Sequence, residues 1–200
     1  MPFEFWFDFA STYSYPAAMR VEALAGEAGI AVTWKPFLLG PVFKAQGWND
    51  SPFNLFPAKG RYMWRDLERL CVDQGIPLRK PSQFPRNSVL AARVACLVAD
   101  QPWAGDFIRA VYRANFAEDR DIGQAAVISD CLDALGQPGL VLIDEAQSPP
   151  HKDALRRQTE AAQARGIFGA PTAMVGDEMF WGNDRLEAAI AWHRAHAKCA

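Results

Sequence analysis

The chain is poor in the groups that usually announce chemistry. Its 200 residues hold only four cysteines and three histidines. Cys71, Cys96, Cys131 and Cys199 lie far apart, with neither a C-x-x-C pair nor metal-ligand spacing. That excludes a dithiol built on adjacent cysteines and a cysteine-bound metal. His151, His193 and His196 show no carboxylate–histidine–nucleophile spacing, and no role follows for them. An excess of positive charge is also missing: 21 basic residues face 23 acidic ones, for a net charge of −2. A nucleic-acid binder needs a basic stripe, so that class is excluded. The apolar runs are short and broken by charge, so no membrane span is expected. The N-terminal MPFEFWFDF lacks a positive segment and a small-residue cleavage site, so no secretory signal is expected. Reduced thiols in a cytoplasmic protein are the simplest account of the cysteines.

What is present is apolar surface and pattern. Half of the residues are hydrophobic and 12% aromatic, enough for the core of one large domain or two interlocked small ones. The most informative stretch is FEFWFDFASTYSYPAA, residues 3 to 18. Phe3, Phe5, Phe7 and Phe9 alternate with Glu4, Trp6 and Asp8, a strand signal. Ser11 and Thr12 then read as cap residues, and Ala17, Ala18, Val21, Leu24 and Ala25 carry helical spacing. Ser11 thus sits where a strand hands over to a helix, beside amides with no partner inside the helix. Such a place attracts anions. Taken alone, Ser11 is a plain N-cap.

Ile30 to Trp34 predicts a second strand, which completes a βαβ unit. Residues 36 to 60 hold four prolines and three glycines and are expected to form a long ordered loop. From Arg61 to Arg165 the periodicity is helical, with stops at Gly75, Gly136 and Gly166 and a proline-rich link from Pro77 to Pro85. Asn87 and Ser88 read as caps of the helix that follows the link. Thr172 to Val175 and Glu178 to Trp181, joined by Gly176-Asp177, predict a hairpin with a type II′ turn. A last helix is expected behind Asn183 or Asp184, with Asp184 and Glu187 at capping-box spacing.

A βαβ start, a helical block and a ββα end make an α/β thioredoxin-like fold with a large all-helical insertion. Residues 1–40 and 166–200 would form the thioredoxin-like part, and residues 41–165 the inserted loop and helices. In such folds the first helix opens at a redox C-x-x-C. Here the tetrapeptide is Ser11-Thr12-Tyr13-Ser14, so no redox disulfide can form there. The fold's other signature, a proline with a cis bond opening the third strand, is expected at Ala170-Pro171. It would leave the N–H and C=O of Ala170 to pair with an extended peptide.

FDFASTYSY, SPFNLFPAKGRY, GIFGAPT and FWGNDRLE resemble the glutathione-dependent 2-hydroxychromene-2-carboxylate isomerases, relatives of kappa-class glutathione transferases and DsbA-like proteins. The four motifs occur in the family's order along nearly the whole chain. The resemblance implies glutathione as cofactor, a small-molecule substrate from aromatic-compound catabolism, a cytoplasmic location and a homodimer. It implies that Ser11 is catalytic and hydrogen-bonds the glutathione sulfur, and that Ala170, beside Pro171, pairs with the glutathione backbone. Asn183 and Asp184 would hold the γ-glutamyl end. Asn54, with Asn49 and Asp50 competing for the same alignment, and Lys59 would supply polar and basic contacts. The implied chemistry is thiolate addition, pyran ring opening, rotation and loss of the thiol. Many relatives carry proline where Thr12 stands. A kappa-like transferase and a redox-inactive peptide-binding module are the alternatives.

Overall fold

The computed structural model describes residues 1–196. Cys199 lies outside them. The strands are β1 (Phe3–Phe7), β2 (Val32–Pro36), β3 (Thr172–Val175) and β4 (Glu178–Trp181), in sheet order β2-β1-β3-β4. β1 runs parallel to β2 and antiparallel to β3, and β3 pairs antiparallel with β4. The first and last parts of the chain therefore share one sheet, and β1 at its centre is covered on both faces. Phe3, Phe5, Phe7 and Phe9 are buried on one side with Tyr15, Trp34 and Tyr112. Trp6 is buried on the other with Phe37, Val42, Ala162, Ile167 and Met174. Each fully buried phenylalanine contributes roughly 1.5–3 kcal/mol, which makes β1 the anchor of the core.

Helix α1 (Ser14–Glu27) crosses from β1 to β2. Between β2 and β3 the chain is helical: α2 (Leu39–Ala45), α3 (Pro52–Leu55), α4 (Pro57–Asp73), α5 (Val89–Leu97), α6 (Ala104–Phe116), α7 (Ala125–Asp133), α8 (Gly139–Ala146) and α9 (Pro149–Ala164). A single 3-10 turn (Asn183–Arg185) leads into α10 (Leu186–His196). α6 packs on α1, and α5 and α9 pack on β2.

Four expectations change in detail. The long loop predicted over residues 36 to 60 contains α2, α3 and the start of α4. Its prolines start helices instead of breaking them: Pro52 and Pro57 stand in the first turn, where a missing N–H costs nothing. The second strand begins at Val32, not Ile30, because Gly29 (φ 68°) and Ile30 still close α1. The Ile30 N–H donates to the Ala25 carbonyl and that of Gly29 to Gly26, a Schellman closure. Neither Ser11 nor Thr12 takes the N-cap position of α1, which falls to Tyr13. Ser11 Oγ, further out, accepts from the Ser14 N–H at 3.3 Å, and Thr12 Oγ1 is buried without a partner. The Asp184–Glu187 capping box does not form, because Arg20 donates to Glu187 at 2.9 Å. At the hairpin, Gly176 takes φ 61° as the first turn residue, as a II′ turn requires.

Candidate active site

The turn between β1 and α1, residues 8 to 13, carries Ser11 to the edge of the sheet. The Ser11 hydroxyl donates to the Ala170 carbonyl at 3.0 Å, joining two residues 159 positions apart. Ala170–Pro171 is a cis peptide bond. So the Ala170 carbonyl, expected to be free for a ligand, is engaged by the residue expected to meet the ligand's sulfur. Ser11 is 8% exposed, and its side chain is both donor and acceptor.

The chain after β4 closes on the same place. The Gly182 N–H donates to the Pro171 carbonyl at 2.9 Å. Asn183 is buried, and its Oδ1 accepts from Arg20 of α1 at 3.2 Å. That leaves the Asn183 amide nitrogen as its available donor. Asp184 is largely exposed, 3.6 Å from the guanidinium of its neighbour Arg185. Tyr13 donates to Asp66 of α4 at 2.9 Å, and burial, more than that bond, pushes its pKa well above the usual phenol value. It stays a neutral donor.

The third side of the site is formed by α3 and α4. The Phe53 ring meets Tyr13 edge-on, 6.2 Å between centroids. Asn54 is exposed, and its amide donates to both oxygens of Asp50 at 3.2 Å. Asn54 and Asp50 therefore form one local unit. Lys59 is exposed on the first turn of α4, with Nζ 4.6 Å from the centre of the Phe56 ring. Among the described residues, neither Asn54 nor Lys59 hydrogen-bonds to Ser11, Ala170, Asn183 or Asp184. The structure thus joins Ser11, Ala170 and Pro171 directly, sets Asn183 next to Gly182, which bonds Pro171, and leaves Asp184, Asn54 and Lys59 with no hydrogen bond to these residues among those described.

The described cysteines lie on α4, α5 and α7. Burial raises the thiols of Cys71 and Cys131 to about 11 and that of Cys96 to about 12, so all three stay protonated at neutral pH. Among the described residues, no cysteine thiol is therefore primed as a thiolate.

A model of the DsbA-like thioredoxin domain matches residues 3–190. The chain belongs to that family. Among curated proteins it is 31% identical over 186 residues to a 2-hydroxychromene-2-carboxylate isomerase of Sphingobium xenophagum, covering 92% of this chain and 93% of the relative. It is 26% identical to the human glutathione S-transferase kappa 1, with 92% and 87% covered. The solved structure of a 2-hydroxychromene-2-carboxylate isomerase superposes with a TM-score of 0.85 at 30% identity, covering all of both chains.

Sequence reading missed several residues here. Arg20, Tyr13 with Asp66, and the buried Asp8 all act through partners 50 or more positions away, and no local pattern marks them. Asp8 is the one that carried a signal. An acidic residue that closes an otherwise aromatic, buried strand needs an explanation.

Proposed function

We propose that this DsbA-family protein is a glutathione-dependent isomerase of the 2-hydroxychromene-2-carboxylate type. The observation that carries the reading is the 3.0 Å contact between Ser11 Oγ and the Ala170 carbonyl, just ahead of a 14-residue helix whose opening tetrapeptide holds no cysteine. The resemblance to isomerases at 31% identity supports the same choice. When bound, glutathione supplies a thiolate that adds reversibly to a conjugated carbon of the substrate, allowing ring opening and cis–trans isomerisation.

The protein's part follows from its own groups. A free thiol of this kind has a pKa of about 8.5. The Ser11 hydroxyl and the N-terminus of α1 each favour an anion by roughly 1 kcal/mol or somewhat more. A ligand amide that takes over the Ala170 carbonyl frees the Ser11 hydroxyl to turn toward the sulfur. Binding and thiol activation are then one event. Asn183 would present its amide nitrogen, and Asp184 its carboxylate, to the γ-glutamyl group. Lys59 and Asn54 would meet carboxylate and backbone from the α3–α4 side. A cytoplasmic homodimer belongs to the same reading; no helix among the described residues is long and apolar enough to cross a membrane.

The test is turnover of 2-hydroxychromene-2-carboxylate with and without glutathione, with the thiol counted before and after. Turnover that needs glutathione and leaves its amount unchanged is expected. Stoichiometric loss of the thiol would assign a transferase instead, and binding of unrelated extended peptides in preference to glutathione would assign a binding module.

A further inference from the structure

The β1–α1 turn is held by donors that reach it from the inserted helices, and Asp8 gathers most of them. Its carboxylate is 4% exposed. One oxygen accepts from the Ala10 N–H at 2.9 Å and from the Ser88 hydroxyl at 2.7 Å; the other accepts from the Leu39 N–H at 2.8 Å. Those donors belong to the turn itself, to the residue ahead of α5 and to the first residue of α2. The backbone carbonyl of Asp8 takes two more, the Ser11 N–H and the Tyr112 hydroxyl, both at 2.9 Å. Next to it, the Phe9 carbonyl accepts from Asn115 at 3.0 Å, and Arg86 holds that amide's oxygen at 3.2 Å.

A buried carboxylate facing only neutral donors is costly to keep. An amide of the same shape would be cheaper to bury, but it has one acceptor where three donors converge. The position is therefore matched to holding three elements together at one point. What those elements hold is the turn that presents Ser11.

We propose that Asp8 is a positioning residue: through Ser88, Leu39 and Ala10 it fixes the Ser11 hydroxyl and the first amides of α1 against the Ala170 edge. The proposal deepens the glutathione reading and rests on it for one of its two readouts.

Two variants test it. Asp8→Asn keeps the volume but sets an N–H₂ against a donor, and Ser88→Ala removes one tie while keeping the charge. The first readout is amide hydrogen exchange in the ligand-free protein. Residues 9 to 14 should exchange roughly tenfold faster or more in both variants, while β3 and α10 stay unchanged. Unchanged exchange in the turn, or equal acceleration everywhere, overturns the proposal. The second readout is the ultraviolet titration of bound glutathione. Loss of positioning raises the thiol pKa in both variants, by roughly half to one unit. If Asp8 acted only through its charge, Asp8→Asn would lower that pKa and Ser88→Ala would leave it alone, which also overturns the proposal. Should Asp8→Asn fail to fold, Ser88→Ala decides. Should the wild type not bind glutathione, the glutathione reading falls while the exchange experiment still decides this one.

Discussion

The two flanks of the Ser11 site are held in opposite ways. On the β1–α1 flank, Asp8, Ser11 and Asn183 are all buried, and each is tied to a residue from a distant part of the chain. On the α3–α4 flank, Asn54 and Lys59 are exposed, and among the described residues their side chains meet the near neighbours Asp50 and Phe56, four and three positions away. Buried bonds sit in a low-dielectric surrounding and hold one geometry; exposed groups reorient and are screened by water and salt. The first flank thus holds its groups in one geometry. The second leaves its groups free to reorient. Tyr13, with its hydroxyl on Asp66 and its ring on Phe53, is the hinge between the two.

The largest effect is expected at the centre of the fixed flank. On the proposed glutathione reading, Ser11→Ala removes one donor to the bound sulfur while leaving the helix N-terminus. A hydrogen bond to a charged group is worth about 1.5–3 kcal/mol, so the thiol pKa should rise by roughly one to two units. Affinity for an S-alkylated glutathione should barely move, because that ligand has no charge on sulfur. An unmoved titration midpoint would take Ser11 out of the chemistry and erase the contrast between the flanks.

Arg20→Met comes next. It leaves Asn183 Oδ1, in a residue only 5% exposed, without its donor. A buried unpaired acceptor costs about 1–3 kcal/mol, which denaturant unfolding would read directly, together with weaker glutathione binding. Full stability and full affinity in this variant would mean that Asn183 is held by packing alone.

A smaller effect, confined in pH, is expected at Asp119. The Ser82 N–H and the ion pair with Arg86 hold its carboxyl down from 3.8 to about 2. Because the folded value lies below the unfolded one, the stability it contributes is present above about pH 4 and is lost as pH falls toward 2. Asp119→Asn should flatten the acid side of the stability curve while changing little in shape at neutral pH. Since Arg86 also orients Asn115 against the Phe9 carbonyl, the same variant shows how far the fixed flank extends.

The smallest effect belongs to the exposed flank. Lys59→Ala should weaken glutathione binding up to about fivefold, the worth of an exposed ion pair, and the difference should shrink at high salt. Thermal stability should not change. A loss as large as that of Ser11→Ala would make the α3–α4 flank a second fixed wall.

Much of this architecture is legible in the residues themselves. Alternating phenylalanines mark β1 and Gly176-Asp177 marks the hairpin, because each depends on neighbours within a few positions. The proline-rich stretch before α4 misleads for the same local reason: proline breaks a helix interior but suits its first turn, and composition alone does not say which. Ser11, Ala170 and Pro171 were also legible, as the places where strand passes to helix and where the third strand opens.

The sequence by itself determined the order of the four strands and the absence of a thiol where the first helix opens. Only the tertiary structure decided that the Ser11 hydroxyl meets the Ala170 carbonyl, that Arg20 turns the Asn183 amide, and that Asp8 ties α2 and the residue ahead of α5 to the β1–α1 turn. The reason is physical. Local signals come from backbone preferences that act over a few residues, whereas these contacts span 31 to 163 positions and exist only once the sheet has brought both ends of the chain together.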